Sequence, residues 1–178
     1  MTRKEVLNIL INLSGSLGPF QKMDCMDDYE KMHTDMYNIM DDDSFEILID
    51  ILLNPPEVGR IEPEDFEYEL KEAITAIGRR NTQNCLEKVK DLLYVEQVRP
   101  VIIDVIGGLD CKEGILLLEP LLELENLTDY ELVNLACAFG SIGGLKSFKI
   151  LKKMKVKYAD KSSVVLREID IGLTTLKY

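Results

Sequence analysis

A glycine recurs near the end of successive apolar helical segments and marks an internal repeat. Gly78, Gly107, Gly140 and Gly172 are separated by 29, 33 and 32 residues. A period near 30 residues corresponds to one helical hairpin per repeat, and such a unit buries its apolar side only by stacking on its neighbours. The sequence therefore predicts an all-α chain of antiparallel helical hairpins.

Each repeat carries the apolar spacing of a helix and local signals for helix starts. In the third repeat, Leu132, Leu135, Ala136 and Phe139 follow the i, i+3, i+4, i+7 spacing of a one-sided apolar helix. We expect the repeated glycine to end each first helix, because glycine enters the left-handed conformation at little cost. The predicted helix starts are the capping sequences Thr2–Glu5, Asp43–Glu46, Asp110–Glu113 and Thr128–Glu131, a restart at Thr82, and first-turn prolines at Pro63 and Pro100.

The stretch Gly114–Gly143, an apolar helix with a Leu-Leu pair followed by a capped helix that ends in glycine, resembles the short HEAT-like repeats also called phycobilisome-lyase repeats. The resemblance runs from Phe66, or from Ser44 if a half-hairpin is counted, to the C-terminus. It implies an α-α superhelix, that is, a HEAT/armadillo-like right-handed solenoid of antiparallel helical hairpins. The chain departs from the family at the arginine typical of the first helix, because only Arg99 is present and Glu131 takes the comparable place in the third repeat. The resemblance implies a fold and no activity, since one scaffold serves many functions.

We expect a single domain over residues 1–178. Residues 1–60 fit the repeat poorly and are predicted to form an irregular helical N-terminal cap, whereas residues 61–178 form the HEAT-like repeats. Pro55–Gly59 is predicted to be a loop, because its two prolines and glycine interrupt regular structure.

The beginning of the chain has some features of a signal peptide, with Arg3 and Lys4 ahead of an apolar stretch. However, Glu5 lies in the charged part, and Asn8 and Asn12 interrupt the apolar part, so we expect an amphipathic first helix. The location expected from this interpretation is cytoplasmic. Four cysteines without a C-x-x-C pair agree with that expectation: Cys25, Cys85, Cys111 and Cys137. We expect Cys111 to be exposed and Cys137 to lie on a core face.

A methionine stripe marks a helix predicted to begin at Asp24 or Asp27 and to end at Met40. Met32, Met36 and Met40 are four residues apart and lie on one face of it. Methionine is an ordinary filler of cores and of adaptable contacts, which favours a buried or partner-facing stripe. The alternative, a site for a soft metal such as Cu(I), would use Met23, Met26, Met32, Met36, Met40, Cys25 and His33.

Other catalytic and metal-binding sites lack their characteristic residues. His33 is the only histidine, so we expect neither a catalytic triad nor a histidine-ligated zinc cluster, whereas carboxylate and cysteine chemistry stay open. An EF-hand that starts at Asp41 would need Gly and Glu where the chain has Glu46 and Leu52. No phosphate-binding glycine loop follows a strand. We therefore expect no catalytic residues, no cofactor and no metal.

Charge is distributed unevenly along the chain. Residues 1–70 carry a net charge of −12, residues 71–145 carry −5, and residues 146–178 carry +6, for a total of −11. Nucleic-acid binding requires a continuous basic surface, so this distribution argues against it. The strongly apolar run Gly114–Leu118 ends at Glu119, far short of a membrane span.

The second helices of such repeats line the concave face, where a partner would bind. Leu116 is an apolar residue in an otherwise polar row, either as the centre of an interface or as a surface leucine without a function. The candidate partner-binding residues are Asn84, Glu87, Lys88, Asp91, Lys112, Leu116, Glu119, Glu123, Lys146, Lys149 and Lys153.

These observations predict a non-catalytic module that binds another protein on its concave face. In a more specific version, the acidic chain neutralises a basic partner, as an inhibitor or immunity protein does. The alternatives are an enzyme on a HEAT-like scaffold, either lyase-like or active in nucleic-acid repair, and a scaffold subunit of a larger assembly. We expect a monomer or a weak homodimer with no membrane association.

Overall fold

The computed structural model describes residues 1–15, 26–59 and 61–176. These residues form helices and no strands, which confirms the predicted all-α class. The helices are α1 (Arg3–Gly15), α2 (Met26–Ile39), α3 (Ser44–Leu53), α4 (Pro63–Arg80), α5 (Thr82–Val89), α6 (Arg99–Gly108), α7 (Gly114–Leu118), α8 (Asp129–Ile142), α9 (Gly144–Lys157) and α10 (Ser163–Thr175). Short 3-10 segments, Lys90–Tyr94 and Glu119–Glu123, continue α5 and α7. None of the helices in the described ranges is both long and apolar enough to cross a membrane.

The chain divides into two compact units, Met1–Asn81 and Thr82–Tyr178. The division lies in the turn between α4 and α5, which are the two helices of the first predicted hairpin. We refer to these parts as unit 1 and unit 2.

In unit 1, α4 packs against α1, α2 and α3. Its core includes Leu10, Leu48, Ile51 and Ile74, all fully buried. The capping box at Thr2–Glu5 is confirmed: the Thr2 amide donates to Glu5 Oε2 at 2.7 Å, and the Glu5 amide donates to Thr2 Oγ1 at 3.3 Å.

The start of α3 differs from the predicted cap. Asp43 makes no side-chain cap. Asp41 takes that role, since its Oδ1 accepts hydrogen bonds from the Ser44 amide at 2.9 Å and from the Ser44 hydroxyl at 2.5 Å. The N-terminal ammonium of Met1 also donates to Asp41, at 2.8 Å, and together these bonds lower the pKa of Asp41 to about 2.

In unit 2, the first helices of the predicted hairpins pack side by side, α6 against α8 and α8 against α10. The second helix α9 packs on both α8 and α10, and α7 packs on α6 and α8. The predicted capping box at Thr128–Glu131 is present at the start of α8. Pro63 and Pro100 lie in the first turns of α4 and α6, as predicted.

The predicted cap at Asp110–Glu113 is wrong. The helix α7 begins at Gly114 and has no side-chain cap. Asp110 instead has a left-handed φ of 51° and turns the chain between α6 and α7. Asn and Asp tolerate this conformation better than other non-glycine residues, because the short polar side chain bonds locally.

The prediction that the repeated glycines end their helices is also wrong. Gly78, Gly107, Gly140 and Gly172 all lie within helices. The residue that ends α8 in a left-handed conformation is Gly143, with φ 72°.

Two of the repeated glycines allow close contact between helices. A Cβ atom at Gly107 would lie 2.8 Å from Ala138 Cα, in the contact between α6 and α8. A Cβ atom at Gly172 would lie 2.9 Å from Leu151 Cδ1 and 3.5 Å from the Ala136 carbonyl oxygen. Gly107 and Gly172 therefore place a small residue where neighbouring helices meet.

Candidate functional site

The first set of candidate residues lies on α5 and the 3-10 segment that follows it. Asn84, Glu87, Lys88 and Asp91 are exposed, and the apolar residues of the opposite side, Leu86, Val89 and Leu93, are buried. This separation follows from the helical spacing of the apolar residues, which places their side chains on the side of α5 that faces the core of unit 2.

The second set lies on α7 and its 3-10 continuation. The Leu116 side chain is 62% exposed, although its neighbours Ile115 and Leu118 are buried. Lys112 and Glu123 are also exposed, and Glu119 is half-buried. Leu116 faces away from the core because Ile115 and Leu118 already occupy the inner side of this short helix.

The third set lies on α9, where Lys146, Lys149 and Lys153 are exposed. Lys146 Nζ forms an ion pair with Glu119 at 2.9 Å. Residues from the second and third sets are therefore neighbours on the surface of unit 2. The contact shows that the two segments are close to each other. Exposed ion pairs of this kind contribute little to the stability of the fold.

Further contacts join the end of α9 to the 3-10 continuation of α7. Tyr158, just after α9, donates its hydroxyl to the Leu122 carbonyl oxygen at 3.1 Å, and Lys157 lies 3.6 Å from Glu123. The α7 segment is thus linked to both ends of α9. We call the surface formed by Lys112, Leu116, Glu119, Glu123, Leu145, Lys146, Lys149 and Lys153 the α7–α9 surface.

Sequence reasoning missed two exposed apolar residues of α9. Leu145 is 60% exposed and Val156 is 80% exposed. They share one side of the helix with Lys149 and Lys152, because positions 145, 149, 152 and 156 follow the helical period. This spacing is present in the sequence. The sequence is equally consistent with a buried Leu145, however, because this residue follows a glycine turn.

Two buried charged residues of unit 2 form a pair between two of the predicted repeats. Arg99 Nη1 lies 2.7 Å from Glu131 Oε1, and Arg99 Nε donates to the Leu93 carbonyl oxygen at 2.8 Å. Burial favours a higher pKa for Glu131, but bonds from the Thr128 amide and hydroxyl, together with Arg99, outweigh it and lower that pKa. These are the two residues at comparable places in the second and third repeats.

The single histidine belongs to a buried polar cluster in unit 1. His33 Nδ1 lies 3.1 Å from Glu69 Oε2, and the Tyr37 hydroxyl donates to the same oxygen at 2.6 Å. Burial raises the pKa of Glu69 and lowers the pKa of His33. All three side chains are buried, and the cluster joins α2 to α4.

The three cysteines in the described part of the chain, Cys85, Cys111 and Cys137, form no disulfide. The prediction that Cys137 lies on a core face is wrong, because it is exposed. Its neighbours in α8 explain this: Ala138 meets α6 and Ala136 meets α10, which leaves position 137 on the outer strip between them. Cys111 is half-buried and not fully exposed, and burial raises the pKa of Cys85 to about 12.

Part of the methionine stripe is described. Met40 is buried and Met36 is half-buried. Met23 and Cys25 lie outside the described residues, as do the side chains of Met26 and Met32. Among the residues that are described, no group of three or more His, Cys, Asp or Glu side chains could hold a metal ion.

No family model, no curated protein and no solved structure matches this chain.

Proposed function

We propose that the chain is a non-catalytic protein-interaction module of HEAT-repeat type that binds a partner protein through the α7–α9 surface. One observation carries the proposal: the exposed Leu116 lies one helical turn before Glu119, the exposed Leu145 is next to Lys146, and Glu119 and Lys146 form an ion pair at 2.9 Å. Apolar residues surrounded by charged groups are typical of the centre and rim of an interface.

The packing in unit 2 supports the HEAT-type interpretation. The first helices α6, α8 and α10 form a row, and the small residues at Gly107 and Gly172 let their backbones approach. The second helices then remain available for a partner, as in a right-handed superhelix of hairpins. A cytoplasmic location is part of the same proposal.

The test is capture of a partner from an extract of the source cells with the tagged chain. We expect a stoichiometric partner for the wild-type chain and at least a tenfold weaker interaction for Leu116→Asp, because a charge at the centre of an interface is costly to bury. Ile171→Asp is the matched control, since Ile171 is an exposed apolar residue on α10.

Two results would contradict the proposal. One is the lack of any stoichiometric partner, and the other is a partner that binds Leu116→Asp and the wild-type chain equally well. Circular dichroism of both variants verifies that the fold is intact.

A second candidate is an acidic inhibitor of a basic partner, as an immunity protein is. The charge of unit 1 favours it, because residues 1–81 hold eight basic and eighteen acidic residues, a net charge of −10. Opposite charge speeds the association of two proteins. A partner that is lost with Glu64→Lys/Glu67→Lys and kept with Leu116→Asp would identify this function.

A further inference from the structure

We infer that the outer side of α9 binds an acidic segment of the partner protein that carries two apolar residues. This inference rests on the proposed function and specifies the chemistry of the partner. The outer side consists of Leu145, Lys149, Lys152, Lys153 and Val156, and we call it the α9 outer face.

The α9 outer face is separate from the side of α9 that belongs to the core. Ser147, Ile150, Leu151 and Met154 are buried and hold the helix in unit 2. The outer face therefore does not contribute to the fold, and its apolar residues remain in contact with water. The Val156 side chain is 80% exposed. Removing this apolar surface from water is favourable, and it requires another molecule to cover the side chain.

The lysines of α9 fall into two groups. Lys146, Lys155 and Lys157 form ion pairs within unit 2, with Glu119 at 2.9 Å, with Asp170 at 2.5 Å and with Glu123 at 3.6 Å. Lys149 and Lys153 form no ion pair with any carboxylate in the described part of the chain. The Lys152 ammonium lies over the Phe148 ring, 4.6 Å from its centre, and it too has no carboxylate partner among the described residues.

The order of residues along the face defines the complementary segment. Leu145 and Val156 stand at the two ends and the lysines lie between them, so the apolar ends are about 16 Å apart at a rise of 1.5 Å per residue. A matching segment has Asp or Glu residues between two apolar residues at that separation. Such a segment pairs each free ammonium with a carboxylate and covers both apolar residues.

A protein segment fits this face better than nucleic acid or a membrane does. Nucleic acid requires a continuous basic surface, but Glu119 and Glu123 border the lysines on the α7 side. A bilayer requires a wide apolar face, and in α9 that face is already buried in the core.

The overall charge of the chain does not exclude an acidic partner. The net charge of −11 repels such a partner at long range. Charges in water are screened beyond about 8 Å at physiological ionic strength, so the nearby lysines dominate at contact.

The experiment selects random peptides displayed on phage with the full chain as bait. We expect the selected peptides to contain Asp or Glu between apolar residues. A synthetic copy should bind about tenfold more weakly to Lys149→Glu/Lys153→Glu, because two attractive contacts become repulsive. Lys4→Glu/Lys31→Glu is the matched control, since it makes the same change in net charge on exposed residues of unit 1.

The outcomes separate this inference from the proposed function. Peptides that are basic or neutral, that lose binding with Leu116→Asp and that tolerate the Lys149/Lys153 reversal would overturn the inference and leave the proposed function standing. A selection that yields no peptide overturns the inference, whereas partner capture still tests the proposed function.

Two further probes test the other classes of macromolecule. A labelled single-stranded DNA and vesicles that contain phosphatidylserine are titrated with the wild-type chain and with Lys149→Glu/Lys153→Glu. We expect no binding that depends on the two lysines. Binding of either probe that the reversal abolishes would overturn the acidic-segment inference.

Discussion

The Glu131 carboxylate uses both of its oxygen atoms. Its Oε1 meets the Arg99 guanidinium at 2.7 Å, and its Oε2 accepts from the Thr128 amide at 2.8 Å and from the Thr128 hydroxyl at 2.9 Å. One side chain therefore caps α8 and links it to the start of α6. An arginine–carboxylate pair in the core is costly to separate, because the remaining charge is left buried.

The pair predicts non-additive effects on stability. We expect Arg99→Met to lower the free energy of unfolding by about 3 kcal/mol, because the Glu131 carboxylate loses its cation. We expect Glu131→Gln to cost about 1 to 2 kcal/mol, since glutamine still serves in a capping box. The double variant should cost at least about 1 kcal/mol less than the sum, as measured by urea denaturation. Additive costs would show that the two residues act independently.

Contacts between residues that are distant in the sequence could not be predicted from the sequence. The sequence shows that His33 is the only histidine, but it could not predict the partners of that side chain, Tyr37 and Glu69. Glu69 lies 36 residues from His33 in the sequence, and only the packing of α2 on α4 brings them together. The Arg99–Glu131 contact likewise joins two repeats and has no local signal.

At the scale of helices, caps were predicted more successfully than helix ends. The boxes at Thr2–Glu5 and Thr128–Glu131 depend on residues three apart, so the sequence contains all of the information. The cap of α3 was predicted at Asp43, but Asp41 is the residue that accepts from the Ser44 amide. The backbone conformation of the preceding turn determines which carboxylate reaches that amide. Asp110 was predicted to cap α7, but the backbone conformation between α6 and α7 makes it a turn residue instead.

The repeated glycines allow a matched test of helix packing. We expect Gly107→Ala to lower the free energy of unfolding by about 1 to 3 kcal/mol, because its Cβ would lie 2.8 Å from the Ala138 backbone and force α6 and α8 apart. Gly140→Ala should leave stability unchanged or raise it by up to about 1 kcal/mol, since its Cβ meets only Gly172 Cα at 3.4 Å and alanine favours helix. Thermal or urea denaturation measures both, and equal effects would contradict the packing role of Gly107.

At the scale of the whole molecule, charge is divided between the two units. Unit 1 has a net charge of −10 and unit 2 has −1, from thirteen basic and fourteen acidic residues. The acidity of the chain is therefore a property of unit 1, and the candidate surface with its lysines is a property of unit 2. The predicted basic partner and the predicted surface thus concern different parts of the chain.

This division predicts how salt acts on stability. We expect Glu57→Gln/Glu67→Gln to raise the Tm at low ionic strength, because it relieves repulsion within unit 1, and to have little effect at high salt, where that repulsion is screened. Glu96→Gln/Glu125→Gln removes two exposed carboxylates from unit 2 and should change the Tm less. Equal shifts for both pairs, measured by differential scanning calorimetry, would contradict this account.

The all-α class and most helix starts were determined by the sequence alone. Both depend on residues within a few positions of each other, through the helical period and the N-terminal caps, so the chain carries their signals locally. The exposure of Leu116 was predictable for the same reason, because its neighbours Ile115 and Leu118 complete the inner side of α7.

Only the tertiary structure decided which residues meet across the fold. It showed that Gly107 and Gly172 allow close helix contacts, since a missing Cβ acquires that meaning only when another helix is placed against it. It also exposed Leu145 and Val156, because an apolar residue becomes a surface feature only when the core has been filled by others. The division of the chain after Asn81 depends on the same distant contacts, which no local pattern records.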